Sequence, residues 1–317
     1  MKDLSIIIVN YKTPLLTEKC IESIYSTTSK NIHLEIIIVD NASQDNSEQF
    51  ITSKYSDVKW ISNPVNEGFG RANNKGIEIA NGNFVLLLNS DLILLNQTIE
   101  KALAAIKKHP NPGILGCQPL NIDGSEQNFT STIASFRKLI DKNLIINYLF
   151  PAKNVSQEAV MGSFMLFPKK VLDECGSFDP DFFMYSEEIE LCHRIKMKGF
   201  DIVMERSITF LHENGGSSSD KTWANRQSYL SSALLFYKIH GVAGYILYHF
   251  VNHLNYFINF LLLWKFDKSY RKDFRSDFSN YFSIYAHYFR IPILYSRETG
   301  RGKRILEYEV SDKNIRR

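Results

Sequence analysis

The chain has 317 residues, 44% of them apolar, enough to bury a substantial core in one large domain or two smaller units. A formal net charge of only +3 gives no ground for nucleic-acid binding. Cys20, Cys117, Cys175 and Cys192 are scattered without a CxxC pair, which argues against structural zinc or a disulfide framework and fits a reducing cytosol.

In chain order, Ser5-Ile6-Ile7-Ile8-Val9-Asn10 reads as a strand buried on both faces. Its apolar run follows Asp3 closely and is too short for a secretory signal. Pro14 suits a first helical turn, after which Leu16, Cys20, Ile21 and Ile24 share one helical face. Glu35-Ile36-Ile37-Ile38-Val39-Asp40 repeats the strand pattern. A helix over residues 47–54, a strand over 58–62, a helix over 70–80 and a strand over 84–89 follow. Near-continuous apolar strands separated by amphipathic helices predict an α/β fold, its parallel sheet covered by helices on both faces. Such sheets bind ligands beyond the carboxyl ends of their strands. Three of these strands end in polar residues: Asn10-Tyr11, Asp40-Asn41 and Asn89-Ser90-Asp91.

Residues 121–160 read as an irregular polar excursion on the acceptor side, with one apolar run at 144–150. A second compact stretch runs from 160 to about 219, and the rest is helical and aromatic. Between Ile239 and Trp264 there is no charged residue. His249, Asn252, His253, Tyr256 and Asn259 nevertheless recur every three to four positions, opposite an apolar face that includes Phe250, Leu254 and Phe257. That polar stripe argues against a membrane span and for an amphipathic helix, lying on a membrane or packed against the protein or a second subunit. From Lys265 onward 13 Lys/Arg stand against 7 Asp/Glu, so a basic tail follows a mildly acidic body. Either an anionic neighbour or plain solvation accounts for it.

The ordered set of motifs carries a resemblance. It comprises residues 5–11, Ile38-Val39-Asp40-Asn41-Ala42-Ser43, Asn66-Glu67-Gly68-Phe69-Gly70-Arg71 and Leu88-Asn89-Ser90-Asp91. Gly176-Ser177-Phe178-Asp179, Glu187-Glu188-Ile189-Glu190 and His212-Glu213-Asn214-Gly215-Gly216-Ser217 complete it. Over roughly residues 3–219 the chain resembles the glycosyltransferase family 2 enzymes of GT-A fold, and within them the rhamnosyltransferase-like group that adds single sugars. The polymer-forming members' Gln-x-x-Arg-Trp element is absent.

The resemblance implies a GT-A catalytic domain over residues 1–220, with a nucleotide-sugar-binding half at 1–120 and an acceptor-side half at 121–220. A helical, aromatic and basic region at 221–317 follows. It implies that Asp40 contacts the nucleotide base, that Asn10, Tyr11 and Asn41 line that pocket, and that Arg71 reaches the nucleotide or its phosphates. Asn89, Ser90 and Asp91 would meet the donor diphosphate. Asp91 and His212 would hold a divalent cation, Mn2+ or Mg2+, although Asn89 stands where the family motif opens with an acid. Glu188 takes the general base's position, with Glu187 as fallback, although the usual residue there is Asp. The reaction implied is inverting transfer of one sugar, rhamnose from dTDP-rhamnose being one candidate. The acceptor would be a glycan or lipid-linked glycan in cell-surface polysaccharide synthesis. The setting would be cytoplasmic or peripheral at the inner membrane face, with membrane contact or homodimerisation through the C-terminal helices. Two alternatives stand beside it: a sugar-1-phosphate nucleotidyltransferase, disfavoured because Tyr11-Lys12-Thr13-Pro14 is not a glycine-rich loop, and a non-catalytic carbohydrate-binding scaffold.

Overall fold

A computed structural model describes residues 2–128, 130–131, 159–213, 221–262 and 268–283. The chain divides into two compact units. The first holds the described residues up to Ser131, those through Asp179, and those from Glu188. The second holds Pro180–Glu187 and the described residues of the C-terminal region. The 144–150 run lies outside the described residues.

In the first unit, strand β1 (Lys2–Asn10) leads through α1 (Pro14–Thr27) to β2 (Leu34–Asp40), and α2 (Ser47–Thr52) to β3 (Lys59–Ser62). Then come α3 (Phe69–Ile79), β4 (Gly82–Asn89), β5 (Leu92–Leu94), α4 (Thr98–Lys108) and β6 (Pro112–Leu120). Short strands β7 (Thr130–Ser131) and β8 (Ala159–Val160) pair with each other. After them come β9 (Phe164–Pro168), α5 (Lys169–Cys175), α6 (Glu187–Met197) and β10 (Asp201–His212). The expected elements form with ends shifted by a residue or two.

The eight-stranded sheet has the order β3-β2-β1-β4-β9-β6-β10-β5. Its first four strands are parallel, and so is β6 with β10. Antiparallel β9 stands between β4 and β6, and β5 closes the far edge antiparallel to β10. The sheet is thus mainly parallel, with an antiparallel element that periodicity alone does not reveal.

Both faces are covered, which explains the uninterrupted apolar strands. Ile6, Ile8, Ile36 and Ile38 pack with Cys20, Ile21 and Ile24 of α1 and with Ile106 of α4. On the other face Ile7, Ile37 and Leu87 meet Ala72 and Ile77 of α3 and Leu191 and Ile195 of α6. At Gly76 an added Cβ would lie 2.5 Å from Ile7 Cγ2, so glycine there lets α3 sit down on the sheet.

The second unit contains α7 (Lys221–Leu262), kinked at Gly241 (φ 66°), and α8 (Lys268–Ser283). Tyr256 OH donates to Asp277 Oδ2 at 2.9 Å, Tyr229 OH bonds Asp277 Oδ1, and His249 Nδ1 lies 2.8 Å from Tyr281 OH. Within the same unit Lys238 pairs with buried Asp181, and Ser231 Oγ donates to Met184 O at 2.7 Å. The Pro180–Glu187 segment is thereby anchored to α7.

Candidate active site

The carboxyl ends of β1, β2 and β4 stand side by side, because Asn10 is in register with Asp40 and Val9 with Asn89. Asn10 and Asp40 are buried, and Asn10 Nδ2 donates to Asp40 Oδ1 at 2.7 Å. Ser43 holds the same carboxylate through Oγ at 2.5 Å and through its backbone N–H at 3.0 Å. Asn10 Oδ1 accepts from Thr17 Oγ1 at 2.8 Å. The pair is therefore fixed in place before any ligand arrives.

Asn41 has a different part. Its Nδ2 donates to Asn66 Oδ1 at 2.7 Å and to Gly68 O at 3.1 Å, while Oδ1 accepts from Asn63 Nδ2 and the Glu67 N–H, both at 3.0 Å. All four bonds an amide side chain can make are used. Asn41 braces the loop before α3 rather than offering a free amide. The same loop ends at Gly68 (φ 84°), which caps α3 and sets Arg71 half-buried in its first turn. Tyr11 is exposed beyond β1, with Lys12 Nζ 5.3 Å from its ring centroid. Ser90 is buried, its Oγ 3.1 Å from Thr13 Oγ1.

Sheet register brings Asp91 and His212 together. His212 of β10 is opposite Leu92 of β5, and the Glu213 N–H donates to Asp91 O at 3.0 Å. His212 Nε2 then lies 3.3 Å from Asp91 Oδ1, with both side chains largely buried. A third residue, not anticipated from the sequence, fixes the imidazole. Gln127 Nε2 donates to Asn121 Oδ1 and to His212 O, both at 2.8 Å. Its Oε1 must therefore be the acceptor facing His212 Nδ1 at 2.9 Å, so Nδ1 carries the proton. In the neutral ring the Nε2 lone pair would face the Asp91 carboxylate, two electron-rich atoms that need positive charge between or upon them. A divalent cation or a second ring proton supplies it. The pair offers one oxygen and one nitrogen, a donor set that would suit Mn2+. Among the described residues no group of three or more His, Cys, Asp or Glu gathers. Gly215 and Ser217 lie outside the described residues.

Beneath this corner, burial and the Asp91 charge push the Cys20 thiol up to about 12, so it stays neutral and inert. Asn89 donates its backbone N–H to Ser163 O at 3.1 Å.

The acid pair opens α6. Tyr185 (φ 70°) and Ser186 (φ 68°) are consecutive left-handed residues without glycine, a costly turn that starts the helix at Glu187. Glu187 is buried and Glu188 half-buried. Carboxylates in a first helical turn are favoured by the helix dipole. Glu190 is structural: Arg194 Nε donates to both its oxygens at 2.7 and 2.9 Å, as i,i+4 spacing predicts.

Parallel strands with polar ends, an acid after β4 and a histidine returned to it by β10 make up an α/β domain of GT-A fold. A solved structure of a mannosyltransferase from Pyrobaculum calidifontis, in complex with GDP-Man and Mn2+, has this fold. It matches with a TM-score of 0.56 at 14% identity, over 93% of this chain and 88% of that one. The family profile described as glycosyl transferase family 2 matches residues 5–176. The low-salt glycan biosynthesis hexosyltransferase Agl10 of Haloferax volcanii is 30% identical over 219 residues, 67% of each chain. An N-acetylglucosaminyl-diphospho-decaprenol L-rhamnosyltransferase of Mycobacterium tuberculosis is 22% identical over 258 residues, 74% of this chain and 83% of its own. The chain belongs to glycosyl transferase family 2 and is a glycosyltransferase. That membership sets aside the nucleotidyltransferase reading.

Proposed function

We propose that the chain is an inverting, metal-dependent transferase moving a single sugar from a nucleotide-sugar donor to a glycan or lipid-linked glycan acceptor in cell-surface polysaccharide synthesis. The observation that carries this reading is the Asp91–His212 pair, whose acid follows directly on the end of β4, the neighbour of the strand that ends in Asn10. The relative from M. tuberculosis, whose name specifies a rhamnosyl transfer to a lipid-linked sugar, makes dTDP-rhamnose the first donor to test. Four free cysteines agree with a cytoplasmic setting.

In this reading Asp40 accepts hydrogen bonds from the nucleotide base, Asn10 holds Asp40, and Asn41 shapes the pocket through the loop it braces. Tyr11 offers an exposed ring as a stacking surface, and Arg71 reaches the phosphates. Ser90 and the Asn89 segment border the diphosphate. A divalent cation held by Asp91 and His212 would offset the negative charge that builds on the leaving diphosphate. Glu188 takes the proton of the acceptor hydroxyl as that oxygen bonds the anomeric carbon and the carbon–diphosphate bond breaks. Attack opposite the leaving group inverts the configuration. Glu187, one position earlier and buried, is the alternative base.

A donor screen tests the reading. The protein is incubated with each common nucleotide sugar and Mn2+ or Mg2+, and nucleotide release is followed with metal present and chelated. One donor should be turned over in a metal-dependent way, and Glu188→Gln should slow its transfer by about 10²-fold or more without changing the melting temperature. Equal turnover in chelator would remove the metal from the mechanism, and wild-type rates in Glu188→Gln would remove Glu188 as base.

A further inference from the structure

The second unit is built inside out along one helix. Beyond the kink at Gly241, residues 242–262 form a helical stretch about 30 Å long. Its buried face carries Tyr248, Asn252, Asn255, Tyr256 and Asn259, packed toward the aromatic side of α8. The opposite face carries Val242, Ile246, Phe250, Leu254, Phe257 and Leu261, all exposed, with Phe250 at 62% and Phe257 at 60%. At 100° per residue these six positions fall within one arc of about 120°. A helix facing water has the reverse arrangement. A contiguous apolar face of this length is an interaction surface rather than ordinary scatter.

By length and composition alone this helix could cross a membrane. Its packing argues otherwise. Tyr256 meets Phe274 and His249 meets Tyr281, so α8 runs antiparallel along the same stretch. A spanning orientation would carry Lys268, Lys272 and Arg275 of α8 into hydrocarbon. A helix in the plane of the interface keeps those cations out of hydrocarbon and buries only the apolar arc.

Charge selects the occupant. Among the described side chains of this unit every exposed charged group is basic: Lys268, Lys272 and Arg275, which share one face of α8. Asp181 and Glu187 are buried, and half-buried Asp277 is held by Tyr229 and Tyr256. The apolar residues named offer no side-chain hydrogen-bonding group that would fix register with a protein partner. We propose that the exposed face of α7 beyond Gly241 docks on the surface of a bilayer containing anionic lipid, with the basic face of α8 drawn to its headgroups. The proposal goes beyond the transfer reaction and holds whichever sugar is moved.

The test is co-sedimentation of the full chain with phosphatidylcholine vesicles, with and without phosphatidylglycerol. Binding should require phosphatidylglycerol and weaken with salt. It should fall at least about tenfold in Phe250→Asp/Phe257→Asp and roughly fivefold for each cation neutralised at Lys272 and Arg275. Because an aspartate pair could perturb folding, a second variant, Phe250→Trp, reports insertion directly by a blue shift of its emission on adding the same vesicles. A protein that stays in the supernatant with both vesicle types overturns the proposal, as does vesicle binding unchanged by the aspartate pair. A dimer seen by light scattering, abolished by that pair and accompanied by no emission shift, would assign the face to a second copy instead and equally overturn it.

Discussion

The two ends of the central sheet hold similar buried polar groups and use them differently. At the amino ends of the strands, Glu35 accepts from Ser5 Oγ at 2.6 Å, from the Asn81 N–H at 2.7 Å and from Lys59 Nζ at 2.8 Å. Burial pushes its carboxyl up, but the bonds from Lys59, Ser5 and Asn81 outweigh that and hold it below the usual range. Every partner is supplied by the chain, so this cluster closes on itself and serves stability. At the carboxyl end, Asp91 faces an imidazole whose Nδ1 proton is already committed to Gln127, leaving Nε2 aimed at the carboxylate. That arrangement calls for a positive charge. The contrast teaches that a buried acid marks a functional end when its neighbours leave a charge to be supplied.

Substitutions at the two ends should therefore separate activity from stability. Asp91→Ala should reduce transfer by orders of magnitude, on the scale of about 10²–10³-fold for a lost transition-state contact, while the melting temperature stays close to wild type. A variant with near-normal kcat/KM would dissolve the contrast. Gln127→Ala should weaken apparent Mn2+ affinity by about 10–100-fold, read by titrating the metal dependence of nucleotide binding. If only thermal stability fell, Gln127 would be a hairpin residue and nothing more.

Glu35→Ala should do the opposite. It strands Ser5 Oγ, the Asn81 N–H and Lys59, costing about 2–3 kcal/mol in chemical denaturation, with kcat/KM of the surviving folded enzyme unchanged. The sign with pH follows from its lowered carboxyl: this stabilisation is complete above the ordinary carboxylate range and is lost below it, as pH falls through the lowered value of the folded state. Wild type should therefore lose more stability in acid than Glu35→Ala. Identical acid profiles would show that the cluster carries no charge-dependent stabilisation.

Much of the fold was legible because strands buried on both faces leave continuous apolar runs, and because their polar ends stand out against them. Asn10, Asp40 and Asp91 were readable for that reason. The antiparallel insertion of β9 was not, since a buried strand looks the same in either direction. Gln127 was hidden because a lone glutamine in a polar loop has no periodicity. The Asp123-Gly124 pair, a strong turn signal, could have exposed the hairpin that carries it. The bonds by which Asn41 braces the loop before α3 were hidden for a related reason: a polar residue at a strand end carries no sign of which neighbour it holds. Along α7 the stripes were visible, but which one faces inward depends on α8, whose aromatic residues and Asp277 give the polar stripe partners.

Asp91 and His212 are proposed to hold a cation for the donor diphosphate. The most direct measurement is Mn2+ binding by electron paramagnetic resonance, in the presence of the nucleoside diphosphate found by the donor screen, for wild type and Asp91→Asn. The account predicts one tightly held Mn2+ per wild-type chain and its loss in Asp91→Asn, with the fold retained. Equal Mn2+ uptake by both proteins would contradict it.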